Sequence, residues 1–180
     1  MPACRIFHPL CVALCLWTLV LTGCSTVSSA PAMSATPYQL FGLRPGMSEA
    51  EAAARLARHH RRRPLCRPLG GDAAGPVRLC TLQAVTGRPQ LLRLAGTPLA
   101  SIRWWLADGR VVRVRADFAA PLTADALARL RARLAADFSQ LPRTAPDGSL
   151  RWHRAGQSVR LTRTAVTLQD DRRAAGLYLP

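Results

Sequence analysis

The chain has 180 residues, with 25 basic and 10 acidic side chains, a formal charge of +15 and 49% hydrophobic residues. At roughly 100–200 residues per domain this leaves room for one domain and excludes a multidomain machine, while so large an apolar fraction excludes a disordered basic tail. All 25 basic residues are Arg and none is Lys. A GC-rich codon bias accounts for that as simply as selection for anion chemistry, because an Arg site needs a geometry that composition does not show.

In chain order, residues 1–23 carry a short segment with Arg5 and an apolar run from Leu10 to Leu21. Spanning a bilayer takes about 20 apolar residues, so the pattern predicts a signal peptide rather than a membrane helix. Leu21-Thr22-Gly23-Cys24 resembles the lipobox of bacterial lipoproteins. The resemblance implies cleavage before Cys24 and attachment of diacylglycerol and further acyl chains, such as palmitate, to that cysteine. Ser25 stands where an inner-membrane retention signal would place Asp, which implies the outer membrane. Ordinary secretion, with cleavage after Ser28-Ser29-Ala30, is the alternative. Acyl chains contribute about 0.8 kcal/mol per buried CH₂, so several on one cysteine make a stable anchor.

Residues 24–37 are rich in Ser, Thr, Ala and Pro, a tether composition. The 13 residues from Ser25 to Pro37 wander about 20 Å on average and reach at most about 45 Å. Without the signal peptide the chain keeps 24 Arg against 10 acids, or +14. It also keeps Cys66 and Cys80, an even pair that an oxidising compartment would join. Their loop of about 15 residues is worth about 3 kcal/mol in the chain-entropy model. Two cysteines without well-spaced histidines do not make a metal site, and no metal or other cofactor is expected.

A single domain is expected over residues 38–180. Ser48 and Glu51 have the capping-box spacing, which predicts a helix from Glu49 to about His60, with Ala53 and Leu56 on its inner face and Pro64 beyond its end. Short strands follow at Val77–Leu82, Leu91–Ala95 and Leu99–Leu106. Asp108-Gly109 predicts a hairpin turn. Before it Ile102, Trp104 and Leu106 alternate with Arg103 and Trp105, and after it Val112, Val114, Ala116 and Phe118 alternate with Arg113, Arg115 and Asp117. One apolar face and one charged face result. A second helix with Thr123 as N-cap carries Leu127, Leu130, Leu134, Phe138 and Leu141 at helical spacing and ends before Pro142. Strands at Leu150–Arg154, Ser158–Thr164, Ala165–Gln169 and Ala175–Leu179 complete an α+β chain, read as two helix-plus-antiparallel-sheet halves at about 38–119 and 120–180.

Gly42-Leu43-Arg44-Pro45-Gly46-Met47-Ser48 followed by Glu51 resembles the G-x-x-x-G-M-S/T-x-x-E opening of the SmpA/OmlA (BamE-like) outer-membrane lipoproteins. Asp108-Gly109-Arg110-Val111 is similar to that family's turn between late strands, and Phe138 to Pro142 to its helix-ending turn. The resemblance covers about residues 41–118 and implies a helix packed on an antiparallel sheet. The second half looks like a degenerate repeat, as in the tandem architecture of the β-lactamase inhibitory protein. The Arg/Pro stretch 58–68 departs from the family's short Leu-Gly-x-Pro turn, and no binding residue carries over.

Arg58, Arg61, Arg62 and Arg63 form the densest charge run, either a solvated basic face or a site for anionic lipid or glycan. His59 and His60 are adjacent, about 100° apart on a helix, and make a poor chelating pair. Arg103, Arg113 and Arg115 extend a basic surface on one side of the hairpin. An exposed Trp105 or Trp152 would be a partner anchor, since aromatics and Arg dominate hot spots. Asp147, Ser149 and His153 supply triad residue types without the elements that orient them, and no nucleophile elbow, zinc-binding helix or phosphate loop is present, so no enzyme is expected. The reading is an outer-membrane lipoprotein facing the periplasm, anchored by its lipid and bound to an envelope protein in assembly or maintenance. An inhibitor or immunity protein that blocks a toxin or hydrolase, and a basic lipid- or glycan-binding module, are the alternatives. Nucleic acid is not expected as a partner.

Overall fold

The computed structural model describes residues 37–60, 63–72, 75–84, 92–175 and 177. The expected signal peptide, Cys24, nearly all of the tether, and Arg61 and Arg62 lie outside the described residues. In chain order come helix α1 (Glu49–His59), strands β1 (Leu65–Asp72), β2 (Gly75–Gln83), β3 (Arg93–Leu94), β4 (Thr97–Ala107) and β5 (Arg110–Phe118), and helix α2 (Ala124–Phe138). Strands β6 (Arg143–Thr144), β7 (Leu150–Arg154), β8 (Gln157–Leu161) and β9 (Ala165–Asp170) and the short helix α3 (Asp171–Ala174) follow. The nine strands form one sheet in the order β1-β2-β4-β5-β9-β8-β7-β6, with β3 paired to β4. Every pairing is antiparallel, and the α+β class stands. β5, the last strand before α2, meets β9, the last before α3, at the middle of the sheet.

The capping box at α1 forms as its spacing requires: the Ser48 amide donates to Glu51 Oε2 at 2.8 Å, and Ser48 Oγ accepts from the Glu51 amide at 3.3 Å. The segment before it is stitched to the hairpin, with Gly46 N–H donating to Val111 O at 2.7 Å and Val111 N–H to Met47 O at 2.8 Å. Ala52, rather than the expected Ala53, lies buried with Leu56, the i, i+4 neighbour on the same face. At α2, Thr123 Oγ1 accepts from the Ala126 amide at 3.3 Å, and Leu130, Leu134 and Phe138 form the buried stripe. Ser139 at φ 50° closes the helix in the left-handed region. Leu141 is thereby carried off the helical face and is 77% exposed.

The register lays the side chains of the sheet in transverse rows, because side chains alternate faces along each strand. Cys80, Trp104, Val114, Leu168, Val159 and Trp152 follow one another across five pairings. So do Leu82, Ile102, Ala116, Val166, Leu161 and Leu150. Both rows join Ala52 and Leu56 of α1 and Leu130, Leu134 and Phe138 of α2 in one buried cluster, which puts both helices over the same face. On the opposite face Val77, Leu79, Trp105 and Val112 form a smaller buried cluster with Leu69 and Leu177 against it.

Three departures from the sequence expectation have physical causes. A bulge opposite Trp105 and Leu106 shifts the β4–β5 register, so Val112 turns to the Trp105 side while Val111 joins the main core. The stretch Leu65–Asp72, not expected to be a strand, is the sheet's edge strand β1, where Pro68 is tolerated. Its Cys66 sits directly opposite Cys80, and the two are joined as a disulfide. Finally, Asp170 accepts the amides of Arg172 at 3.1 Å and Arg173 at 3.0 Å, starting α3. Ala175 and Leu177 are consequently not in the strand expected at Ala175–Leu179, the rest of which, apart from these two residues, lies outside the described residues.

Candidate functional site: an arginine row on the uncovered sheet face

Between the two core rows the register generates a third, on the face opposite the helices. Thr81, Arg103, Arg115, Thr167, Arg160, Arg151 and Arg143 are successive partners from β2 to β6. Next to it run Leu79, Trp105, Arg113, Gln169, Ser158 and His153. Strands are about 4.8 Å apart, so five arginines occupy a line about 24 Å long with Thr167 near its centre. Around Thr167 lies a groove of about 460 Å³ lined by Arg113, Arg115, Arg151, Arg160, Ser158 and Gln169, among others.

Like charges directly opposite one another in a sheet destabilise it by roughly 0.2–1 kcal/mol per pair, and two carboxylates hold this row together. Asp117, two residues beyond Arg115 and on the same face, accepts from Arg103 Nε at 2.9 Å, Arg115 Nε at 2.8 Å and Ser101 Oγ at 2.9 Å. Burial alone would raise its pKa, but the hydrogen bonds from Arg115 and Ser101 and the charges of Arg115 and Arg103 outweigh that and hold it below its ordinary value. Asp147, in the turn before β7, accepts from Arg160 Nη2 at 2.6 Å and lies 3.6 Å from Arg151 Nη2. The Ser149 hydroxyl and amide, and then Arg160 and Arg151, draw Asp147 down to about 2.

Arg103 and Arg113 flank the Trp105 ring, with guanidinium carbons 5.8 and 5.5 Å from its centroid, a cation–π arrangement on both neighbours of a buried indole. Burial, and after it the charge of Arg115, lower the pKa of Arg113. At the other end of the groove Asp171 accepts from Ser158 Oγ at 2.6 Å and Gln169 Nε2 at 3.0 Å and lies 3.3 Å from His153 Nδ1. Arg103, Arg113, Arg115, Arg143, Arg151 and Arg160 thus share this face with Asp117, Asp147 and Asp171, a surplus of three positive charges.

The hairpin arginines expected on one side of the sheet, Arg103, Arg113 and Arg115, are there. Arg151, Arg160 and Thr167 were not expected beside them, because only the β5–β9 and β8–β9 registers bring them into line. The tryptophans need correction as exposed anchors. Trp105 is sealed by Val77, Leu79, Val112 and the two arginines, and Trp152 points into the helix-covered core, where its Nε1 donates to Gln140 O at 2.9 Å. Arg58 and Arg63 are exposed, but they do not line the groove. The triad residue types stay apart: Ser149 Oγ donates to Asp147 at 2.5 Å, whereas His153 faces Asp171. Glu49 lies within 4.8 Å of the sulfurs of Cys66 and Cys80, which are committed to each other in the disulfide. No family model, curated protein or solved structure matches the chain.

Proposed function

We propose that the protein is a lipid-anchored outer-membrane lipoprotein that faces the periplasm and binds an envelope protein partner in assembly or maintenance of the envelope. The observation that carries this reading is the asymmetry of the sheet: α1 and α2 cover one face, and the other keeps a groove of about 460 Å³ lined mostly by arginines and polar side chains. The lipobox-like Leu21–Cys24 supports the anchor, and the Cys66–Cys80 disulfide fits an oxidising compartment. The element order, a helix and its strands followed by a second helix and its strands with β5 and β9 meeting at the centre, supports two BamE-like halves at about 38–119 and 120–180.

Intact-mass analysis of protein extracted from membranes, with Cys24→Ala beside it, tests the anchor: acyl mass is expected on the parent and absent from the variant. Crosslinking in living cells tests the partner. A stoichiometric envelope protein supports the proposal. A toxin or hydrolase replaces it with an inhibitor role, and lipid alone replaces it with a lipid-binding one.

A further inference from the structure

We propose that the centre of the arginine row is an anion slot for an Asp or Glu side chain of an acidic polypeptide, seated over Thr167 between Arg115 and Arg160. The inference rests on the protein-binding reading above and names the chemistry of the partner.

Arg115 and Arg160 are the two cross-strand neighbours of Thr167, so they flank it at one strand spacing on each side, about 10 Å apart. A carboxylate placed between two guanidinium forks at that separation is reached from both. Each flanking arginine is already tied by a carboxylate, Arg115 by Asp117 two residues along the same strand and Arg160 by Asp147 from the β7 side, which fixes both arms. The central position, where an acid would neutralise both neighbours, carries a short neutral hydroxyl instead. Arg113, Ser158 and Gln169 line the groove beside it. The surplus of three positive charges suits a few carboxylates and is small for a densely phosphorylated surface. Four strands, β5, β9, β8 and β7, lie under the groove, about 15 Å across, the length of four or five extended residues.

The test uses full-length lipidated protein in detergent, a fluorescent glutamate-rich octapeptide, inorganic phosphate and phosphatidylglycerol vesicles. Saturable peptide binding is expected. It should weaken at least about tenfold in Arg115→Gln/Arg160→Gln, the scale of one lost charge-assisted pair. The same loss of charge on the outer face of α2, Arg129→Gln/Arg131→Gln, should change it less than about twofold. Thr167→Glu fills the slot from within: it should abolish peptide binding while raising the melting temperature, a gain of order that no misfolded variant shows. Absent or non-saturable peptide binding overturns the proposal. Equal losses in the two arginine double variants, undiminished binding by Thr167→Glu, or a response to phosphate or vesicles with the peptide silent also overturn it. A protein partner that crosslinks in cells equally well to Thr167→Glu refutes the slot and leaves the protein-binding reading standing. Peptide binding that Thr167→Glu abolishes, with no protein crosslinked in cells, upholds the slot and refutes the reading beneath it.

Discussion

Replacing Asp117 by Asn separates the charge of this residue from its shape. Asn keeps an oxygen for the Ser101 hydroxyl, but the guanidinium contacts of Arg103 and Arg115, at 2.9 and 2.8 Å, lose their counter-charge. The side chains of Asp117, Arg103 and Arg115 are 19%, 30% and 36% exposed, so each contact is worth about 1 kcal/mol rather than the larger figure of a buried pair. Leaving Arg103 directly opposite Arg115 adds a repulsion of roughly 0.2–1 kcal/mol. The expected loss at pH 7 is about 2–3 kcal/mol. Because the native pKa of Asp117 lies below its unfolded value of about 4, its contribution is fully present above that value and is lost as pH falls through the native one. Urea unfolding followed by tryptophan fluorescence should therefore show the full gap between parent and Asp117→Asn at pH 7 and pH 5. The gap should narrow below about pH 4 and nearly close below the native pKa. A gap that stays constant down to pH 2 would assign the loss to shape, and a gap under about 0.5 kcal/mol at pH 7 would show that the arginine row does not need Asp117.

Cys66→Ala/Cys80→Ala should lower stability by up to about 3 kcal/mol in the oxidised protein, and a reductant should erase the difference in thermal melts. Ala155 at φ 48° and Gly156 at φ 79° form a two-residue hairpin turn of the mirror-image type between β7 and β8, so Ala155→Asn should stabilise by about 0.5–1 kcal/mol in urea melts. The Asp147 carboxyl should titrate near 2 by NMR, and Ser149→Ala should move that midpoint upward toward the ordinary value, because it removes the Ser149 hydroxyl, the largest cause of the lowering, while the backbone amide of residue 149 still donates.

Local signals carried the elements whose determinants are local. The capping box at Ser48 and Glu51, the Thr123 N-cap, the Leu130–Leu134–Phe138 stripe and the Asp108-Gly109 turn were all legible, because each depends on residues within one or two turns of chain. β1 was not: Arg67, Pro68 and two glycines read as a loop, and it is a strand only because β2 lies beside it and the Cys66–Cys80 bridge joins the two. The bulge at Val111 and Val112 was equally hidden, since uninterrupted alternation from Val112 to Phe118 gives no hint of where the count restarts. The site suffered most. Two of the row's five arginines, Arg103 and Arg115, were visible in the hairpin. Arg151 and Arg160 joined it only through β9, a pairing that spans some 50 residues of chain and is set by the packing of both helices on one face.

That pairing also explains why the arginines stabilise one register even as they repel each other. Because side chains alternate, a slip of one residue between β5 and β9 would turn every side chain of one strand to the other face. In the native register Val114 meets Leu168 and Ala116 meets Val166 on the helix-covered side, while Arg113 meets Gln169 and Arg115 meets Thr167 outside. After a slip Arg113 and Arg115 would be aligned with the apolar residues of β9, and keeping those residues in the core would bury two guanidinium groups with only Asp117 of the same strand carried along as a counter-charge. Burying an uncompensated charge costs several kcal/mol, far more than the roughly 0.2–1 kcal/mol of each like-charge pair on the open face. The charged row therefore excludes the alternative register by a wide margin at a small cost to the native one, and it leaves the unneutralised position at Thr167 on the side that α1 and α2 do not cover.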